Sequence, residues 1–526
     1  MIKPVLFRSN HLYILGLILL VSGLPLSLFV TSFSQIVLGV SFFAEGNATE
    51  KLRRYLRNKP ALILTGILAM HFIGLLWTTD YAEGFKDIRI KSPLFILPFI
   101  IGGTEPLSKK HFQLVMGFFI ASVFAGTLVS MAVLTGIIHG EITDIRDIFI
   151  FHISHIRFAL FICLVIFTLL YFLLSGRYTW NTYLKMGCVA LIIWLLIFLV
   201  IMESVTGILV AVIVGFLLLL QRAFVQRNAF VKIIFVITAF LIPVSLFFFA
   251  QKISNQYYVK KDVPVDVNAR TSGGNPYSFS LSEPQRENGY PIWIYVCEDE
   301  MKKEWNARSV CNYDSLDLRE QPVKYTLLRF LTSKGWRKDG DAVRHLSGTE
   351  VHSIEKGIAN VNYQDMSSIK ARALKIVWEY DQFMTTGDVN GHSVMQRLEF
   401  WKVAGGIIRE HPLTGVGTGD MPVAYKLEYE KTNSTLNPVW RFRAHNQFLA
   451  ITVAFGFIGL AYFIFALFYP LFYRKKYHDY FYFIFWLIVV LSMFTEDTLE
   501  TQTGVTFFAF FSSLFLFRRS EVISED

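Results

Sequence analysis

Runs of about 18 or more mostly apolar residues recur along this chain, and no other feature constrains its fold so strongly. Each run can cross a hydrocarbon layer about 30 Å thick as a helix, which pairs all of its own backbone polar groups. We place spans at 11–28, 31–45, 60–78, 90–103, 112–138, 156–175, 184–202, 205–221, 230–250, 446–470, 479–495 and 503–517. The expected fold is an all-α polytopic membrane protein with about 12 transmembrane helices. The second and fourth spans are short, and 11–45 reads as one helical hairpin bent near Gly23 and Pro25. Only 17% of the residues are charged, against about 25% in soluble domains. Fifty Phe and 23 Tyr suit lipid-facing helices and interfacial belts.

Charge sets the orientation. With the N-terminus in the cytoplasm, even-numbered helix ends meet Lys51, Arg53, Arg54, Arg57 and Lys59, then Lys109 and Lys110, then Arg177. The series continues at Arg222 and Arg227, at Arg474, Lys475 and Lys476, and at Arg518 and Arg519. The opposite turns, near Thr31, Glu203 and Glu496, carry little or no Lys or Arg. The positive-inside rule therefore puts both termini in the cytoplasm and a large segment outside, between helices 9 and 10. The expected domains are 1–250 with the first nine spans, 251–440 outside, and 441–526 with the last three spans and a cytoplasmic tail. Lys3 and Arg8 precede the first apolar run as in a signal peptide, but a second span follows at once, so the helix reads as retained. The net charge of +9 is a topology signal. No basic domain with interleaved aromatics points to nucleic acid.

The outer segment is expected to be partly helical, over about 365–410. Asp365–Thr386 reads as an amphipathic helix. Ser393 and Gln396 form an S-x-x-Q capping box before a second helix, whose apolar stripe is Val394, Leu398, Trp401 and Ile408 and which Pro412 ends. Gly415–Asp420 lacks the Gly-Lys-Ser/Thr of a phosphate loop and reads as a turn. Cys163 and Cys188 lie in apolar runs. Cys297 and Cys311 are the disulfide candidates if their segment faces an oxidising compartment, and unrelated thiols otherwise.

Polar chemistry gathers at the outer membrane face. Lys86, Arg89 and Lys91 precede the fourth span, and Arg157, with His152 and His155, starts the sixth. Arg397 lies on the capped helix. Arg441, Arg443, His445 and Asn446 stand where the chain re-enters the membrane. Glu496, Asp497 and Glu500 lie on the last outer turn, and Glu203 on a similar one. A single outer Arg is more often an interfacial anchor, and a single His a cap or packing residue. Their convergence suggests an anionic ligand and a base: Arg presents a planar fork to diphosphate, and His titrates near neutrality.

Three strings carry a resemblance: Gln396-Arg397-Leu398-Glu399-Phe400-Trp401, His411-Pro412-Leu413-Thr414-Gly415-Val416-Gly417 and His445-Asn446-Gln447-Phe448-Leu449. With the span layout, they resemble the O-antigen ligase and O-antigen polymerase superfamily over about 390–510. The resemblance implies a bacterial inner-membrane glycosyltransferase with its large loop periplasmic, needing no cofactor and no metal. Its donor would be an undecaprenyl-diphosphate-linked glycan, and its acceptor a hydroxyl of lipid A-core, another glycan or a protein. It implies that His445 is the catalytic base, that Arg157 and Arg397, with Arg89 and Arg441, grip the diphosphate, and that Asn446, Glu496 and Asp497 support them. The reaction would invert the anomeric carbon. Ligase is the leading expectation; a polymerase or a protein O-oligosaccharyltransferase shares the donor site. Residues 258–350 match no part of the resemblance.

A transporter of a lipid-linked or anionic substrate is the main non-enzyme alternative. Transporters place ionisable groups near the bilayer midplane, whereas here His71 is the main intramembrane exception. A metal-dependent glycosyltransferase with an acidic first outer loop is disfavoured, since Thr31-Ser32-Phe33-Ser34 holds no carboxylate.

Overall fold

The computed structural model describes residues 9–138, 153–176, 180–283, 285–318, 320–363, 368–387, 389–391 and 393–518. Lys3, Arg8, His152, Arg177, Asp365 and Arg519 lie outside the described residues. So do the side chains of Ser393 and Arg474, and with Ser393 the expected capping box. The chain forms two compact units, one of Met1–Ala239 with Asp388–Asp526 and one of Phe240–Gly387.

The first unit opens with α1 (Ser9–Leu26) and α2 (Leu28–Ala44), packed against each other as the expected hairpin. The reversal is at Ser27, not at Gly23 or Pro25. The Ser27 hydroxyl accepts the Val30 amide at 3.3 Å and caps α2, while Pro25 stays inside α1. Gly23 instead permits close packing, because a Cβ there would lie 2.6 Å from the Thr31 nitrogen. The chain continues through α3 (Ala48–Arg57), α4 (Lys59–Gly74), α5 (Tyr81–Lys91), α6 (Pro93–Gly103), α7 (Lys109–Leu134), α8 (His155–Leu174), α9 (Thr182–Ile201), α10 (Val205–Val225) and α11 (Ala229–Tyr258).

Among the described residues, seven helices are long and apolar enough to cross a membrane, and α2 with α3, bent by 114°, forms an eighth candidate. His11–Leu26, Tyr480–Met493 and Gln502–Phe517 are apolar but shorter. The expected fourth span, 90–103, breaks at Ser92. This leaves α6 with 11 residues, roughly 16 Å at 1.5 Å per residue, about half the hydrocarbon thickness. α8 is the most enclosed of the seven, with 72% of its apolar window buried, and α11 the least, at 6%. A helix apolar all round suits either place, protein core or lipid.

The Phe240–Gly387 unit has its own apolar core. It contains a short hairpin, β1 (Arg286–Glu287) and β2 (Tyr290–Pro291), and helices α12 (Glu298–Asn306), α13 (Val323–Ser333), α14 (Gly340–His345), α15 (Gly348–Glu355) and α16 (Ser368–Thr386). Trp305, Leu327, Phe330, Leu331, Val343 and Ile354 are fully buried together. The disulfide expectation is not met: Cys297 and Cys311 are free thiols. Cys297 packs with Tyr277, Ile294 and Tyr295, whereas Cys311 packs against the Trp305 cluster, so each thiol fills a different apolar site.

The remaining helices are α17 (Ser393–Glu410), α18 (Met421–Lys431), α19 (Gln447–Phe472), α20 (Tyr480–Met493) and α21 (Gln502–Phe517). All five belong to the first unit, including α17 and α18, which the sequence groups with the outer segment. The cause is a break in α19. Gly456 has φ 63° and ψ −165°, a conformation almost confined to glycine. Around it the 412–417 loop supplies replacement hydrogen bonds. Val416 and Gly417 amides donate to Val453 and Ala454 carbonyls at 2.9 Å each, and the Phe457 amide donates to Pro412 O at 2.8 Å. The Asp420 carboxylate then accepts the Thr79 and Asp80 amides at 2.8 Å each. Thr418 Oγ1 donates to His71 O at 2.6 Å. The Gly415–Asp420 turn thus clamps α17 and α18 onto α4 and α19.

We expect Gly456→Ala to destabilise the protein by about 3 kcal/mol or more, from backbone strain and from a Cβ 2.2 Å from the Leu413 carbonyl carbon. Gly405→Ala, where a Cβ meets nothing within 4 Å, should be neutral or stabilising by about 0.5–1 kcal/mol. Thermal unfolding of the detergent-purified variants checks both.

Candidate active site

Four pieces of chain meet around His445: α17, the re-entry segment before α19, the 494–501 turn, and the first turn of α8. The face of α17 that packs inward is Met395, Phe400, Val403, Ala404 and Ile407, all buried. The expected stripe is the other side, for Leu398 and Trp401 are exposed. α17 is apolar around most of its circumference, so helical spacing alone fits two faces. Trp401 still ties the helix to the re-entry segment, its Nε1 donating to Ala444 O at 2.9 Å.

His445 occupies the left-handed region, with φ 45°, which His tolerates better than most residues. Asn446 follows as the N-cap of α19. Its side chain accepts the Leu449 amide at 3.1 Å and donates to Phe494 O at 3.0 Å. The pair therefore turns the chain into α19 and fastens that turn to the 494–501 segment. The His445 ring lies between Phe400 and Phe442, with centroids 5.7 and 6.0 Å away.

Asp497 Oδ1 is 3.7 Å and Glu496 Oε2 4.0 Å from His445 Nδ1. Arg397 Nη2 lies 3.2 Å from Glu496 Oε1. Arg443 Nε is 3.5 Å from Asp497 Oδ2, and its Nη1 3.2 Å from Glu500 Oε2. Arg157, in the first turn of α8, acts electrostatically on both Glu496 and Asp497. Its Nε is buried with no hydrogen-bond partner among the described residues. The two carboxyls are driven apart. Burial pushes the Glu496 pKa above its ordinary value, more than His445, Arg397 and Arg157 lower it. Burial also pushes Asp497 up, but His445, Arg443 and Arg157 outweigh it and hold the carboxyl below its usual range. Asp497 is thus the ionised partner of the imidazole, with Nδ1 toward it and Nε2 the other ring nitrogen.

A buried chain of charges runs inward from the same place. Glu500 accepts from Arg443, from Lys91 Nζ at 2.9 Å and from Gln447 Nε2 at 3.2 Å. Lys91 also pairs with Asp87, whose Oδ2 lies 2.9 Å from His71 Nδ1. His71 is therefore not an isolated intramembrane His but the end of a chain. Asp87 escaped the sequence reading, and Gln447, quoted there within the His-Asn string, was given no role. Gln447 stands directly after the His-Asn pair, whereas Asp87, four residues before Lys91, reads as an ordinary helix ion pair.

Other candidates lie elsewhere. Arg441 donates to Leu436 O at 3.0 Å and Ser434 O at 3.4 Å and stacks on Tyr429, so its guanidinium is engaged in shaping its own loop. Arg443, two residues on, is the arginine that meets Asp497 and Glu500. Arg89 is exposed and borders a separate cavity of about 680 Å³, with α2 and α6 residues such as Gln35, Phe43 and Phe99. Glu203 sits on the turn after α9 with φ 51°, and His155 opens α8. His445, Glu496 and Asp497 could each offer one ligand atom to a metal ion, all within 4.8 Å of one another. Arg397 and Arg443 already neutralise those carboxylates, so a cation would have to displace or oppose two guanidiniums.

The opposed carboxyl shifts have a stability consequence. Ionised Asp497 stabilises the fold above the ordinary carboxylate pKa, and this is lost as pH falls through its lower folded value. Ionised Glu496 costs stability once pH exceeds its raised folded value. We therefore expect Asp497→Asn to lower stability at neutral pH by about 1–3 kcal/mol, and Glu496→Gln to leave it unchanged or raise it. Unfolding midpoints of the two purified variants at pH 7 check this.

Residues 357–464 match the family model described as O-antigen ligase. No curated protein matches the chain. The matched segment holds α17, the clamp and His445, the parts whose motifs carry the resemblance. The match covers about a fifth of the chain, and over that segment the protein is similar to the O-antigen ligase family, which supports an O-antigen ligase-like membrane protein.

Proposed function

We propose that the protein is a membrane glycosyltransferase that moves a glycan from an undecaprenyl-diphosphate carrier to an acceptor hydroxyl at the outer, periplasmic face, in O-antigen ligation to lipid A-core. The observation that carries this is the cluster of His445 and Asp497 with Arg157, Arg397 and Arg443. It combines a base, the carboxylate that orients it, and guanidiniums for an anion, one with a buried N–H still unpaired.

In this reading the acceptor hydroxyl gives its proton to His445 Nε2, and Asp497 stabilises the imidazolium. The acceptor oxygen attacks the anomeric carbon from the side opposite the diphosphate, and the carbon–oxygen bond to the carrier breaks with its electron pair. The configuration inverts. Charge then develops on the leaving diphosphate, where fixed guanidiniums act most strongly because they need no reorganisation. Arg157, with its unpaired Nε, takes the diphosphate directly; Arg397 and Arg443 fix the carboxylates and add to the field.

Transfer from a diphosphate-linked donor by the purified protein tests the base. His445→Ala should fold and lower turnover by about 10²–10⁴-fold, or roughly 3–5 kcal/mol of transition-state stabilisation. Near-normal turnover would sink the assignment. Surface glycan from a deletion strain separates the acceptors. Long chains left on the carrier and missing from the core indicate ligation, and single repeats on the core indicate polymerisation. An unchanged pattern would overturn the assignment to O-antigen transfer.

A further inference from the structure

The Phe240–Gly387 unit contains a cavity of about 430 Å³, in the size range of small-ligand sites. Tyr290, Tyr295 and Trp336 bring rings to its lining, and Asp266, Arg337 and Lys338 bring charges. Backbone pairing builds it. The Lys338 amide donates to Tyr295 O at 2.9 Å and the Cys297 amide to Lys338 O at 2.7 Å, which fixes the 335–338 segment beside residues 295–297.

Lys338 is the residue that calls for a ligand. It is 3% exposed, yet its ammonium makes only one long hydrogen bond, 3.4 Å to Pro291 O, and no ion pair among the described residues. The adjacent Asp339 carboxylate is engaged by the Tyr277 hydroxyl and the Ala342 amide. Burial pushes the Lys338 pKa down to about 8, more than the neighbouring Asp339 charge raises it, the response of a desolvated cation. Arg337 stacks on Tyr295 at 4.5 Å and Tyr277 at 5.5 Å and makes no carboxylate ion pair among the described residues. The acid in the lining, Asp266, accepts the Asn268 amide at 3.0 Å. Lys261 stands 4.2 Å over the Tyr290 ring and Lys334 3.6 Å over Trp336. The Tyr290 hydroxyl and the Trp336 indole N–H are without partners among the described residues.

We propose that this cavity binds an anionic sugar residue of a glycan. The rings receive the apolar C–H face of a pyranose, the Tyr290 hydroxyl and Trp336 N–H bond its hydroxyls, and Lys338 with Arg337 takes its carboxylate. The glycan half of this assignment rests on the transfer reading above; the anionic half rests on Lys338 and Arg337 alone.

Titration calorimetry of the full chain in detergent, with trigalacturonate, maltotriose and inorganic phosphate as probes, tests it. We expect saturable binding of trigalacturonate, with maltotriose and phosphate each at least tenfold weaker. Arg337→Ala and Lys338→Met should each weaken trigalacturonate at least tenfold. Arg337 is exposed, so its variant carries the test if Lys338→Met does not fold. Absence of saturable trigalacturonate binding, or wild-type affinity in Arg337→Ala, would overturn the proposal. Phosphate bound as tightly as trigalacturonate would replace it with a simple anion site, and maltotriose bound as tightly would remove the acidic requirement. Failure of the base assignment shows only in transfer by His445→Ala, so the two readings can fail separately.

Discussion

The backbone seam between residues 412–420 and the broken helix α19 holds the candidate site together. A transmembrane helix interrupted in mid-course leaves amides and carbonyls with no water to satisfy them, and the 412–417 loop supplies the missing partners. Gly456 and Gly415 make the approach possible, since a Cβ at either would meet backbone within 2.2–2.3 Å. Asp420 extends the seam to Thr79 and Asp80. Through it α17, and with it Arg397, is fixed to the same helices that carry His445.

On that frame the site is an arrangement of opposed charges in a partly buried place. Glu500 collects Arg443, Lys91 and Gln447, so the guanidinium facing Asp497 is held from beneath by a buried chain reaching His71. Such pairs contribute little net stability after desolvation. Their effect is positional, for each cation has few geometries in which every partner is satisfied. Arg157 differs, with a buried Nε that no described group accepts.

Much of the fold was legible in the sequence because lipid imposes a blunt rule. The observed α7, α8, α9, α10 and α19 fall within a few residues of the apolar runs. The rule failed where a run was short: 90–103 carries Ser92 and Pro98 and yields an 11-residue helix. Helical spacing misled separately on α17, where apolar residues occur on most of the circumference. His445, Arg397, Glu496 and Asp497 could be named from residue type and position. Arg441 and Arg443 could not be told apart, because two neighbouring arginines have the same sequence signal and opposite surroundings.

The sequence by itself determined that this is a helical, membrane-type protein, where its long apolar helices run, and which His, Arg and acidic residues are candidates to come together. Hydropathy and charge suffice for that, because they act residue by residue. Only the tertiary structure decided that Gly415–Asp420 is a clamp and not merely a turn, that Cys297 and Cys311 stay apart, and that burial holds the Glu496 pKa above its ordinary value while cationic neighbours hold that of Asp497 below. Each depends on contacts between residues far apart in the chain, and burial and pairing of that kind leave no local pattern to read.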